Sequence, residues 1–465
     1  MADALAALEA PDDAALESER AVDEALRAVD VPGLALLAAR ATTSTEMLAL
    51  AQAIDGWYGA RRAGLRTADD ELAEAIAIRL DRDGRLNADP DRGVVAYRRP
   101  LSGRWADPDR GFPGDTAEVD REPDLVDAFE ALFVLPPTIP ATDPDDPAGE
   151  RAVRFDFLPL GRDAEPLPGP GELLRVGFLP LATEVDDIGI SRFSVGDREV
   201  YDAVARPLNE AVAGGLEALS EAGCHLIVLP EMAVHGDTLE VIRAWLRANA
   251  ADTELRYVLA GTSRTQEGTG PPRNRAHLLN ASGESVAIQD KLARWNLSAD
   301  MARRYGLAPC PEADGLVHEH IAPGDRITVV EIPEFGRLAV LICEDLDRSE
   351  PGTWLRRNAL LDLQLTPVLD SGLAPARWAG RAGARATATG RCRVLVANSA
   401  VLSHRQNAAN AASGDSRQHA DYGVGLCLDE TAGGITCLTS TLPLDGDETH
   451  CVVDWCPQEW SRFEG

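Results

Sequence analysis

From residue 172 onward the chain repeats one pattern: a short, unbroken apolar run that stops abruptly at a polar residue. LLRVGFLPLA, CHLIVLPE, RYVLAGTS, GRLAVLICED, LDLQLTPV and CRVLVANSAV are the clearest cases. Runs this short and this apolar read as strands buried on both faces, the signature of a sheet inside a layered domain. Between them, residues 199–222, 237–249, 351–361 and 375–390 have helical character, and Asp237 followed by Glu240 forms a capping-box pattern at the start of the second. AHLLNASGESVAIQDK reads as two strands joined across Ser282-Gly283. Strands that alternate with helices yet include hairpins imply an α/β fold with mixed sheets.

The rest of the chain has a different texture. Its 465 residues exceed one typical core. Residues 1–135 read as a mainly helical region, with Ala, Leu and Glu at helical spacing over 14–29, 44–62 and 69–80. Thr43-Ser44-Thr45-Glu46 would cap the second stretch. Residues 86–122 are broken by Pro, Gly and Asp, and helix resumes near 123–133. Residues 136–171 are dense in Pro, Asp and Gly and read as a linker, with RAVRFDFLPL as one edge strand. Residues 172–465 form the second domain.

Charge and composition exclude several classes of function. The net charge is −31, which repels phosphate backbones and argues against nucleic-acid binding. No apolar run is long enough to span a membrane. The N-terminus, MADALAALEAPDD, lacks the basic segment of a secretory signal, so a cytoplasmic protein is expected. The eight cysteines are irregularly spaced without a CxxC pair and read as free thiols. His450, Cys451 and Cys456 do not have the spacing of a structural zinc site, and no metal is expected.

Lys and Arg together number 45, yet Lys291 is the single lysine. A chain that writes Arg for every other positive charge keeps Lys where a compact ammonium is required. Lys291 follows the strand SVAIQD. Glu231 ends the run HLIVLP, and Cys343 ends LAVLI. A carboxylate at the end of a buried strand suits a general base. An ammonium can stabilise a thiolate and an oxyanion. A cysteine on a strand-to-helix turn is held and presented as a nucleophile.

These segments resemble three motifs of the nitrilase superfamily of carbon–nitrogen hydrolases: LPEMAVHG for the glutamate, IQDKLARWNL for the lysine and GRLAVLICEDL for the cysteine. RATATGRCRVLVANSA and YGVGLCLDETAGG are similar to later segments of that family, and the likeness covers about residues 172–450. The resemblance implies an α-β-β-α sandwich, an enzyme needing no cofactor or metal, and a homo-oligomer. It implies a small amide as substrate, a nitrile less so, cleaved through a thioester on Cys343 with Glu231 and Lys291 as partners. The family also places a second glutamate before a Pro-Gly turn; Glu319 and Glu312 both fit, and His318 and His320 would border the pocket. Glu344, just after the nucleophile, and the segment Ala293 to Leu297 depart from the family pattern and are expected to line that pocket. Two alternatives stand beside the hydrolase. The Cys343-Glu344-Asp345 sequence suggests a glutaminase-like ammonia donor, or an acyltransferase, acting with a partner. A non-enzymatic scaffold would use residues 1–135 to bind a protein partner.

Overall fold

The computed structural model describes three strands within residues 86–135 and, with short interruptions, residues 138–461. The helices expected over 14–29, 44–62 and 69–80, with their cap at 43–46, lie outside the described residues. The chain divides into two compact units: residues 1–98 with 106–137, and 99–105 with 138–465. In the first, β1 (Leu86–Asp89), β2 (Gly93–Tyr97) and β3 (Leu132–Leu135) form an antiparallel sheet in that order. Residues 132 and 133, expected to close a helix, are therefore strand.

The second unit begins inside the segment expected to be a linker, and here the expectation is corrected. β4 (Thr138–Asp143) and β5 (Asp146–Pro159) form a hairpin on the border of an eight-stranded sheet. β5 then runs parallel to β15 (Arg326–Ile332), Arg154 opposite Arg326. The prolines do not prevent this. Pro140 sits on the outermost strand, where a missing N–H costs least, and Pro159 ends its strand.

The sheet continues through β16 (Gly336–Val340), β17 (Leu363–Val368), β18 (Arg393–Asn398), β19 (Gly423–Thr431) and β20 (Gly434–Thr441). A seven-stranded sheet has the order β12-β11-β10-β9-β6-β21-β22. Its members are β6 (Leu174–Phe178), β9 (Leu226–Val228), β10 (Tyr257–Thr265), β11 (Arg273–Asn280), β12 (Ser285–Asp290), β21 (Cys451–Cys456) and β22 (Glu459–Ser461). Both sheets mix parallel and antiparallel pairs, as expected. β9, β16, β17 and β18 are buried along their whole length, which explains their largely apolar character; the polar side chains on them, among them Arg337, Gln364 and Thr366, are buried too.

The layers stack helix, sheet, sheet, helix. α1 (Asn209–Glu221) and α2 (Gly236–Asn249) cover one face of the seven-stranded sheet, with Leu216, Leu219, Ile242 and Leu246 in one apolar cluster with Ile227, Leu229 and Val258. α5 (Trp378–Gly390), named in chain order after two shorter helices described below, packs on β18 and β19. Between the sheets, Gly425 of β19 leaves room for the Phe178 ring of β6; a Cβ there would lie 2.7 Å from Phe178 Cδ2.

Two local expectations are revised. Residues 199–205, read as the start of a helix, belong to β8 (Arg198–Ala205), which pairs with β7 (Ile188–Val195) across a turn at Gly196, φ +63°. Tertiary pairing decides there; α1 begins only after Pro207. α2 is capped by the His235 ring, whose Nδ1 accepts from the Asp237 N–H at 3.1 Å, rather than by Asp237. β13 (Asn296–Ser298), β14 (Leu316–Glu319), β8 and β7 make a four-stranded sheet. α3 (Ala299–Arg304) follows β13, and α4 (Trp354–Asn358) follows a wide turn at Ser349–Thr353. α6 (Val401–Ser413) follows β18. Among the described residues no helix is long and apolar enough to cross a membrane.

Gly425→Ala forces a methyl against Phe178 in the tight inter-sheet layer. The expected loss is about 1–3 kcal/mol of unfolding free energy, read by urea titration, whereas Gly214→Ala inside α1, where a Cβ meets open space, should gain about 0.5–1 kcal/mol.

Candidate active site

Strand ends bring the expected residues together. Glu231 lies three residues past β9, Lys291 one past β12, Glu319 closes β14, and Cys343 lies three past β16. All four are buried, at 2, 2, 6 and 6% exposure respectively, and all four border one cavity of about 300 Å³. Glu312 lies outside the described residues.

The backbone around each residue is fixed by its neighbours. The Glu231 N–H donates to the Val368 carbonyl of β17, at 3.2 Å, tying the turn of one sheet to the other. Met232, with φ +54°, donates its N–H to Thr262 Oγ1 at 2.8 Å. Lys291 donates its N–H to Asn274 O at 2.8 Å and accepts from the Gly324 N–H at 2.7 Å. Cys343 has φ +52°, a conformation costly for a residue with a Cβ, and one that over-determined surroundings maintain at functional turns. The short 3₁₀ turn Cys343–Leu346 follows it directly.

The side chains form one network. Lys291 Nζ donates to Glu231 Oε1 at 2.9 Å and to Glu319 Oε2 at 2.8 Å. Asn274 Nδ2, from β11, donates to the same Glu231 oxygen at 2.8 Å. The Trp295 N–H donates to Glu319 Oε2 at 2.8 Å. The Cys343 thiol borders the same cavity as Glu231 and Lys291. Burial works against the Lys291 ammonium, but Glu231 and Glu319 overcome it and hold it charged, well above its ordinary pKa. Burial, reinforced by the Glu231 carboxylate, pushes the Cys343 thiol up, so the resting group is a thiol. Burial also raises the Glu319 carboxyl against the pull of Lys291. Such a site offers a nucleophile and a base on one cavity, and beside them a permanent cation.

Asp345 was not singled out from the sequence, yet it joins the nucleophile turn to the lysine turn. Its Oδ2 accepts from Leu292 N at 2.8 Å and its Oδ1 from Ala293 N at 3.1 Å. Asn274, Tyr201 and Trp378 were also missed. Strand pairing places two of them, β8 setting Tyr201 opposite Glu319 of β14 and β11 carrying Asn274, while Trp378 opens α5. Other expectations are corrected. Trp295 and Leu297 border the cavity as expected, but Glu344 does not; its carboxylate turns to Arg348, four residues on, at 2.9 Å. His318 and His320 are not among the cavity residues either. His318 bonds Asn296 Oδ1 at 3.0 Å, and the His320 ring packs edge-on to Phe193. Among the described residues no group of His, Cys, Asp or Glu could hold a metal ion.

No family model matches the sequence, and no curated protein matches it. Solved structures do. Saccharomyces cerevisiae Nit3, a member of branch 10 of the nitrilase superfamily, is 15% identical over 63% of this chain and 93% of its own, with a TM-score of 0.39. An amidase from Nesterenkonia sp. is 17% identical over 61% and 91%, with a TM-score of 0.38. The glutamine-dependent NAD+ synthetase from Acinetobacter baumannii is 11% identical over 61% of this chain and 46% of its own, with a TM-score of 0.38.

Burial raises the Asp345 carboxyl to about 7, against the pull of the two backbone N–H groups. The folded chain therefore takes up this proton more readily than the unfolded one. Stability from this group is complete at low pH and falls as pH rises from near 4, the unfolded value, through 7. Urea unfolding across that range should show the parent losing stability relative to Asp345→Asn, with the difference constant above pH 8.

Proposed function

We propose that the chain is a carbon–nitrogen hydrolase of the nitrilase type, cleaving an amide through a thioester on Cys343. The observation that carries this reading is the burial of Cys343, Glu231 and Lys291 on one cavity, with Lys291 Nζ donating to Glu231 Oε1 at 2.9 Å.

The chemistry balances on these residues alone. Glu231 takes the thiol proton as sulfur attacks the amide carbon. The oxygen becomes an oxyanion, stabilised by Lys291 and the backbone N–H of Glu344. Glu231 returns its proton to the leaving nitrogen, the C–N bond breaks, and ammonia or an amine departs. Water, deprotonated by Glu231, then attacks the thioester. A second tetrahedral species collapses to a carboxylic acid and the free thiol. Glu319 and Asn274 hold Lys291 and Glu231 in place throughout. Acyl transfer is the same sequence with an amine in place of water.

Ammonia release from a panel of primary amides tests the reading. Cys343→Ala should abolish release, and Glu231→Gln should lower kcat by about 100-fold or more, the range of a lost general base. Lys291→Arg should fail as Lys291→Met does, because a planar guanidinium does not fit between two carboxylates placed for an ammonium. Release that persists in Cys343→Ala removes the proposal.

A further inference from the structure

The cavity wall away from the nucleophile speaks to the acyl group. It is built mainly from apolar and aromatic side chains, among them Ile190, Met232, Leu297, Met301, Leu369 and Leu402. Trp295 and Trp378 add a stacked pair, ring centres 6.3 Å apart. Flat aromatic and thioether surfaces of this kind accommodate an apolar or ring-bearing group.

Each charged group on the wall already has a partner. Lys291, Arg304 and Arg377 are its cations; Glu231, Glu319 and Asp370 are its carboxylates. Lys291 is held by both glutamates. Arg304 pairs with Asp300 at 2.7 Å. Arg377 lies 3.5 Å from Asp370 and donates to Ser371 Oγ at 2.9 Å. Asp370 is occupied on both oxygens: Oδ1 accepts the Ser371 N–H at 2.7 Å, and Oδ2 the Trp378 indole N–H at 2.8 Å. The polar groups for which no side-chain partner is found among the described residues are neutral, the Tyr201 hydroxyl and the Gln406 amide. Beside Cys343, a ligand carrying an ammonium and a carboxylate would have to break the buried pairs of Lys291 with Glu231 and Glu319, whereas the Arg304–Asp300 pair is half exposed and weak.

We infer that the substrate is a neutral primary amide with an apolar, ring-sized acyl group, and that free glutamine is excluded. The inference rests on the hydrolase reading and bears directly on the Cys343-Glu344-Asp345 sequence, which by itself suggests glutamine. Glu344 turns away from the cavity to Arg348, so it offers no charge to an amino-acid head group.

Chloromethyl ketones test this separately from turnover, because the group on the ketone carbon enters the acyl pocket while Cys343 displaces chloride and forms a thioether. Two are compared on the full-length protein by intact mass: one with a phenylethyl group, one with the 3-amino-3-carboxypropyl group of glutamine. Hydrolysis of 3-phenylpropanamide and of L-glutamine is followed in parallel. Cys343 should be labelled by the phenylethyl ketone on the order of 100-fold faster, the cost of burying unpaired charge in a pocket whose charges already have partners. The two amides should differ in kcat/KM in the same direction. Faster labelling by the glutamine-like ketone, with glutamine the better substrate, overturns the substrate inference and leaves the hydrolase standing. Cys343 inert to both ketones overturns both.

Discussion

The site depends on one buried cation. The Lys291 ammonium sits with 2% exposure between Glu231 and Glu319, at 2.9 and 2.8 Å. An ammonium taken out of water is tolerated only when charged partners replace the water. Two carboxylates around one cation leave excess negative charge in a pocket with little solvent to spread it. That excess helps hold the Cys343 thiol protonated at rest, and Glu231 stands on the same cavity as the carboxylate proposed to take its proton.

Three sheets bring the four strand ends to one point, Glu319 coming from β14 of the four-stranded sheet. Glu231 leaves the seven-stranded sheet and Cys343 the eight-stranded one, and the bond from Glu231 N–H to Val368 O fastens the two. Asp345 then clamps the nucleophile turn to the lysine turn. The positive φ of Cys343 is sustained by this bracing, since nothing local favours it. Rigid supports of this kind let catalytic groups act without reorganising.

Much of this was legible in the sequence, for a definite reason. Strands buried on both faces are mostly apolar, so a Glu or Cys just past their ends stands out, and a solitary lysine among arginines stands out further. What was illegible depends on pairing. The hairpin β7–β8 carries Tyr201 beside Glu319, but Glu199 to Ala205 has spacing compatible with a helix. The β4–β5 hairpin was hidden by prolines that an outermost strand tolerates. Asn274 is one polar residue on a strand of alternating character, and only the register of β11 places it against Glu231. The approach of Glu319 to Lys291 likewise follows from β14 pairing with β8, a contact between distant segments.

The most direct measurement is the reactivity of Cys343 itself, compared with that of half-exposed Cys437 and Cys451, using iodoacetamide and peptide mass mapping of the parent and of Glu231→Gln. If Glu231 is the base that receives the thiol proton, buried Cys343 is alkylated faster than the two more exposed cysteines, and the glutamine variant loses that advantage. A Cys343 that reacts no faster than its burial allows, or one that reacts equally fast with Glu231 replaced, contradicts the account.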